Sequence, residues 1–242
     1  MFLRIASFYV LTWFFLILFS GTQQATGIIP PQIGLAQLGP GAAALLMVVL
    51  FRRDGVKITF FSKETSPVHY LLAVLIPAGL GLVVFLLRSL TSMETTPVPE
   101  VYNNMLLVIL WMPLGALGEE LGWRGYLHKK LDTRLRGLVS SVLVGLLWMP
   151  IHVTFLTQGP VFLLLLALWF ISVSIVIYAL VQDIEFSVLV AAIFHLSINL
   201  INLLVLDVLY STSYWVVNVI VWVAAAAFAV YLKRDVFLPS KG

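Results

Sequence analysis

Eight apolar blocks, each about 18 residues or longer with hardly a charge inside, constrain this chain more than any other feature. That is the length at which a helix crosses hydrocarbon. The blocks fall at about 3 to 20, 33 to 51, 68 to 90, 103 to 125, 138 to 157, 161 to 181, 186 to 206 and 214 to 232. They are continuous rather than alternating, so they do not read as strands of a barrel. Backbone amides and carbonyls in lipid must then be satisfied within each segment, which helices alone achieve. The expected fold is all-α: a polytopic membrane helical bundle of about eight transmembrane helices. The first block follows Arg4 as a signal peptide would, but it is long and no small-residue cleavage site follows, so it is expected to stay as a helix. No repeat, linker or low-complexity stretch divides the chain, and one membrane domain over 1–242 is the expectation.

The cations are distributed unevenly among the connections. Arg52, Arg53, Lys57 and Lys63 follow the second block; Lys129, Lys130, Arg134 and Arg136 follow the fourth; Lys233, Arg234 and Lys241 end the chain. The alternate connections, around "GTQQATGIIPPQ", "TSMETTPVPE", "TQGP" and "DVLYSTS", carry no lysine or arginine. Under the positive-inside rule both termini face the cytoplasm. A net charge of +3 with no basic stripe excludes nucleic acid as a partner and leaves the lipid bilayer. The absence of cysteine removes thiolate metal sites and a cysteine nucleophile.

Ionisable groups inside spans are costly and mark functional candidates when they face protein or water. Glu119 and Glu120 late in the fourth block, His152 in the fifth and His195 in the seventh qualify. Arg88 sits near a span end, where it can snorkel, and His69 and His128 are expected to be solvated. Glu120 and Arg124 stand four apart, neighbours on one helical face that can pair, while Glu119 points about 100° away and is left to face a cavity. Trp148 and His152 in "WMPIH" share a helical face near Pro150, and His195 and Asn199 in "HLSIN" lie one turn apart.

A carboxylate and two histidines support hydrolysis by two routes. Glu119, His152 and His195 could hold a catalytic zinc with one open position, or the same groups could activate water directly. The ligands would come from three helices without compact spacing, which tips the expectation slightly toward no metal. Asn199 could donate to a developing oxyanion. Neither H-E-x-x-H nor G-x-S-x-G occurs.

Three motifs in order, E-E-x-x-x-R at Glu119, Glu120 and Arg124, aromatic-x-x-x-H at Trp148 and His152, and H-x-x-x-N at His195 and Asn199, resemble the CAAX-protease and bacteriocin-processing family. That family, also called CPBP or Abi, includes the Ras-converting CAAX endopeptidase. The resemblance spans about 103–202, the expected catalytic core. It implies an intramembrane endopeptidase in which Glu119 and His152 activate water, His195 and Asn199 stabilise the oxyanion, and Glu120, Arg124 and Trp148 support the site. The second motif often begins with phenylalanine in that family, and Trp148 departs from it in a conservative way. The substrate would be a membrane-associated protein, prenylated CAAX proteins among them, or a peptide or bacteriocin precursor, with the site opening toward the cytoplasm. The rival readings are a non-catalytic membrane scaffold or immunity protein of the same fold and a transporter. A transporter would show two related halves with paired interruptions, which this sequence lacks.

Overall fold

A computed structural model describes residues 1–27, 29–90, 95, 97–98 and 100–238. Most of the "TSMETTPVPE" connection and Lys241 therefore lie outside the described residues. The described chain is all helical, with no strand. We number the main helices α1 (Phe2–Thr26), α2 (Gly39–Leu50), α3 (Pro67–Ser89), α4 (Met105–Gly122), α5 (Gly137–Trp148), α6 (Pro160–Val181), α7 (Val188–Asn202) and α8 (Thr212–Leu232).

Six of these, extended in places by adjoining turns, are long and apolar enough to cross a membrane: α1, α3, α4, α6, α7 and α8. The expected second and fifth spans give α2 and α5, helices of 12 residues each. At 1.5 Å per residue that is about 18 Å, short of the roughly 30 Å hydrocarbon core. The outer faces carry large exposed side chains such as Leu82, Leu110 and Ile220, which suit lipid rather than water. The core centres on α6, whose Phe170, Val173, Ile177 and Val181 are buried between α5 and α8.

The fourth span departs from expectation in its extent. Beyond Gly122 the chain tightens no cap; it continues through a π-helical turn, Trp123–His128, into a last α-turn at Lys129–Asp132. Such turns inside helices often mark functional positions. All six π-turn residues are buried. His128, expected to be solvated, lies wholly inside: its ring packs against Tyr178 and Phe186, and its Nε2 is 3.3 Å from Ser141 Oγ. His69 instead closes the start of α3, where its Nδ1 accepts from the Ser66 backbone amide at 3.1 Å. Arg88 is ion-paired to Asp207.

One face of α4 is stripped of side chains so that α2 can approach. A Cβ on Gly118 would come within 2.9 Å of the Gln37 carbonyl oxygen, and one on Gly122 within 2.6 Å of the Pro40 carbonyl carbon. These are backbone atoms that have no rotamer to yield. Small residues at such crossings are the usual device of membrane helix packing. Gly122→Leu should therefore push α2 off α4 at a cost of about 3 kcal/mol, the upper part of the usual overpacking range. The check is thermal stability in detergent, with an exposed change such as Leu110→Ala as control.

The basic connections meet at one end of the bundle. Asp54 accepts from Arg4 Nε at 2.9 Å and from Lys130 Nζ at 3.2 Å, and the Lys130 hydrogen bond is the main cause holding its carboxyl below the usual range. Lys129 Nζ donates to the carbonyls of Lys57 (2.9 Å) and Glu185 (3.1 Å) and to Thr59 Oγ1. Lys233 pairs with Asp183 at 2.7 Å. The N-terminus of α1, the 51–66 connection, the end of the fourth span, the 182–187 connection and the end of α8 are thus tied together. We refer to this as the basic end.

Candidate active site

Glycines on one side of α4 set its backbone against α2, and the same turn of helix aims Glu119 and Glu120 in different directions. Glu120 is fully buried and meets Arg124, four residues on, as the spacing suggested: Arg124 Nη1 lies 2.9 and 3.0 Å from the two carboxylate oxygens. The guanidinium also sits over the Trp148 ring, 4.4 Å from its centre. No hydrogen-bond acceptor among the described residues reaches Arg124 Nε or Nη2. Glu120 has a second partner that sequence spacing did not disclose. His195 Nδ1 lies 2.9 Å from Glu120 Oε1, across 75 residues of chain. The carboxylate therefore orients the imidazole as well as neutralising the arginine, and turns His195 Nε2 away from Glu120.

Glu119 points elsewhere, into a cavity of about 280 Å³. It is not without a partner: Trp148 Nε1–H donates to Glu119 Oε2 at 2.7 Å. Trp148 also holds His152, whose Nδ1 lies 3.3 Å from the Trp148 carbonyl oxygen. A carbonyl can only accept, so Nδ1 carries the hydrogen and Nε2 presents its lone pair. One residue thus positions both a carboxylate and an imidazole.

His152 does not share a helical face with Trp148. Helix α5 stops at Trp148, a 3₁₀ turn covers Met149–Ile151, and His152 has φ −84° and ψ 61°. Pro150 has no N–H to give and its ring crowds the carbonyl four residues back, so the helix cannot run through it. Ending the helix there takes His152 out of the helical geometry of α5. Its ring instead packs on Phe170, with centroids 4.6 Å apart.

Glu119, His152, His195 and Asn199 all line the one cavity, with Trp148 beside them; Glu120 and Arg124 lie behind its wall. The apolar part of the lining includes Trp111, Phe155, Trp169, Phe170 and Trp215. Trp111 is further fixed by donating its Nε1–H to Gln37 Oε1 at 3.0 Å. These wall residues carried no motif; only the density of aromatics toward one end of several spans hinted at them. The arrangement suits hydrolysis of a bond between apolar groups: a buried carboxylate and an imidazole lone pair to activate water, with a second imidazole and an amide to meet developing charge. Zinc would require Glu119, His152 and His195 to close on one point, and among the described residues no three His, Asp or Glu side chains stand close enough to hold a metal ion.

Trp148 offers a direct test of this positioning. Trp148→Phe keeps an aromatic ring under Arg124 but removes the N–H that holds Glu119. A hydrogen bond to a charged group contributes about 1.5–3 kcal/mol, so cleavage should fall by about tenfold or more while folded yield stays near wild type. Loss of yield in step with activity would make the indole structural only.

Residues 101–201 match the family described as Type II CAAX prenyl endopeptidase Rce1-like. The matched stretch contains all three motifs and every residue of the polar site described above. No curated protein matches the chain. With six helices fit to span, the protein is an integral, multi-pass membrane protein similar over this stretch to a family of proteases.

Proposed function

From that match to a CAAX prenyl endopeptidase family over residues 101–201, we propose that the protein is an intramembrane endopeptidase that cleaves a membrane-associated protein or peptide. The substrate would be a prenylated CAAX protein or a peptide or bacteriocin precursor. The observation that carries the reading is the convergence of Glu119, His152, His195 and Asn199, from three separate segments of chain and, among the described residues, none paired with a lysine or arginine, on one cavity.

In the proposed reaction, a water between Glu119 and His152 Nε2 gives a proton to the Glu119 carboxylate as its oxygen attacks the scissile carbonyl carbon. His195, as imidazolium, donates from Nδ1 to Glu120 and from Nε2 to the oxyanion, and the Asn199 amide adds a second donor. Collapse of the tetrahedral intermediate breaks the C–N bond, and the proton held by Glu119 passes to the departing amine. The products are a new carboxylate and a new amino terminus. With His195 charged, two carboxylates face two cations, so the buried set is electrically balanced, as a low-dielectric site demands.

The test is cleavage of quenched apolar peptides by purified protein reconstituted in liposomes, before and after chelator treatment. Activity should persist in chelator, because water activation here needs only protein groups. Complete loss, restored by one divalent metal, would replace this mechanism with a metal-dependent one, and no cleavage of any peptide or lipidated substrate would favour a scaffold.

A further inference from the structure

We infer that the cavity opens on the membrane face opposite the basic end, so that the substrate is a polypeptide presented from the non-cytoplasmic side and cut within an apolar stretch. This deepens the endopeptidase reading and rests on it for the word substrate; the direction of opening stands on its own observations.

Along each helix that contributes to it, the cavity runs away from the basic end. On α4 it is lined by Val108, Trp111, Met112 and Glu119, all on the side of Glu119 remote from Lys129. On the basic side of Glu119 the chain is packed solid, with Trp123, Arg124, Tyr126, Leu127 and His128 buried and none of them lining the cavity. Glu119 is also not late in its span once the π-turn is counted. With the helix running Met105–Asp132, it lies about 21 Å from one end and about 20 Å from the other at 1.5 Å per residue.

Helix α7 repeats the direction. Its first residue, Val188, is fixed to the basic end by its amide donating to the Thr59 carbonyl at 2.9 Å. The cavity begins at His195 and follows the chain outward through Asn199 and Asn202 to Leu206 and Leu209, beyond the helix. From α6 it takes Leu166, Trp169 and Phe170 in the half remote from Asp183, and from α8 only Trp215, near the end opposite Lys233. The rim is Pro31, Gln32, Gly34 and Tyr102, from the connections without lysine or arginine. Arg88, the one lysine or arginine toward this end among the described residues, is ion-paired with Asp207.

Charge bias identifies the basic end as the cytoplasmic one: eleven described cations there, Arg4, Arg52, Arg53, Lys57, Lys63, Lys129, Lys130, Arg134, Arg136, Lys233 and Arg234, face a rim with none. The cavity is therefore fed from the other face. Its walls explain the cut: aromatic and aliphatic surface runs from Glu119 outward to the rim, with no lysine or arginine in the lining to receive a free terminal carboxylate. Of the two substrate classes proposed above, this direction selects the peptide or precursor over a prenylated protein tethered to the cytoplasmic leaflet, which would approach from the closed end.

The chain has no cysteine, so single cysteines report without background. Gln24→Cys, exposed near the rim, Leu203→Cys, in the cavity wall, and Glu64→Cys, exposed at the basic end, would be treated in intact cells with a membrane-impermeant maleimide. Gln24→Cys and Leu203→Cys should label directly, and Glu64→Cys only after permeabilisation. Labelling of Glu64→Cys in intact cells, or of Leu203→Cys only after permeabilisation, overturns the inference. Should Leu203→Cys fail to fold, Gln32→Cys on the rim replaces it. None of these readouts requires turnover, so a protein that cleaves nothing would sink the endopeptidase reading while leaving the direction of the cavity decided.

Discussion

Glu119→Gln is expected to lower the rate of peptide cleavage by about 10² or more, the contribution of a general base, with folded yield close to wild type. The substitution suits the geometry. The glutamine side-chain oxygen can still accept from Trp148 Nε1–H, which lies 2.7 Å from Glu119 Oε2, so the indole keeps its partner and His152 keeps its anchor on the Trp148 carbonyl. Only the capacity to take a proton from water is removed. Rate measured per folded molecule, after gel filtration, separates this from a folding defect.

Glu120→Gln should act in the opposite order, on folding first. Glu120 and Arg124 are both inaccessible to solvent, and their pair is joined by His195. Removing the carboxylate's charge leaves Arg124 with no hydrogen-bonded carboxylate, only the face of Trp148 and the more distant charge of Glu119, and His195 Nδ1 with a weaker acceptor. Breaking one side of a buried ion pair costs about 3 to 5 kcal/mol, enough to deplete a membrane protein of ordinary stability. Glu120→Gln with Arg124→Gln should recover part of the yield, because no uncompensated charge is then buried. Activity should not return with it, since His195 still lacks the carboxylate that orients it. If instead Glu119→Gln turns over like wild type, and Glu120→Gln folds normally and is inactive, the two glutamates exchange roles and Glu120 is the base.

The difference between these neighbours was legible in the sequence because it rests on local geometry. An i, i+4 spacing brings Glu120 to Arg124, and a 100° step sends Glu119 away from both. The apolar blocks likewise located the main helices, since hydrocarbon length and charge are properties of short windows. What escaped were contacts between distant segments. Nothing in "HLSIN" says that His195 will meet Glu120, 75 residues earlier. Polar letters at the end of the fourth span read as a loop, but Lys129 places its charge on backbone carbonyls of two other connections while His128 and Leu131 turn inward. The helix continues, and Glu119 becomes central rather than late. Pro150 was visible as a breaker, yet only the fold shows that the break, not a kink, brings His152 to the Trp148 carbonyl.

The most direct measurement is a terminus-resolved comparison of membrane and secreted peptides from cells carrying wild type or Glu119→Gln at matched folded levels. One class of new termini, flanked by apolar residues, should be present with wild type and lost with Glu119→Gln, while the uncut precursors accumulate. Identical sets of termini in the two cells would contradict the endopeptidase reading.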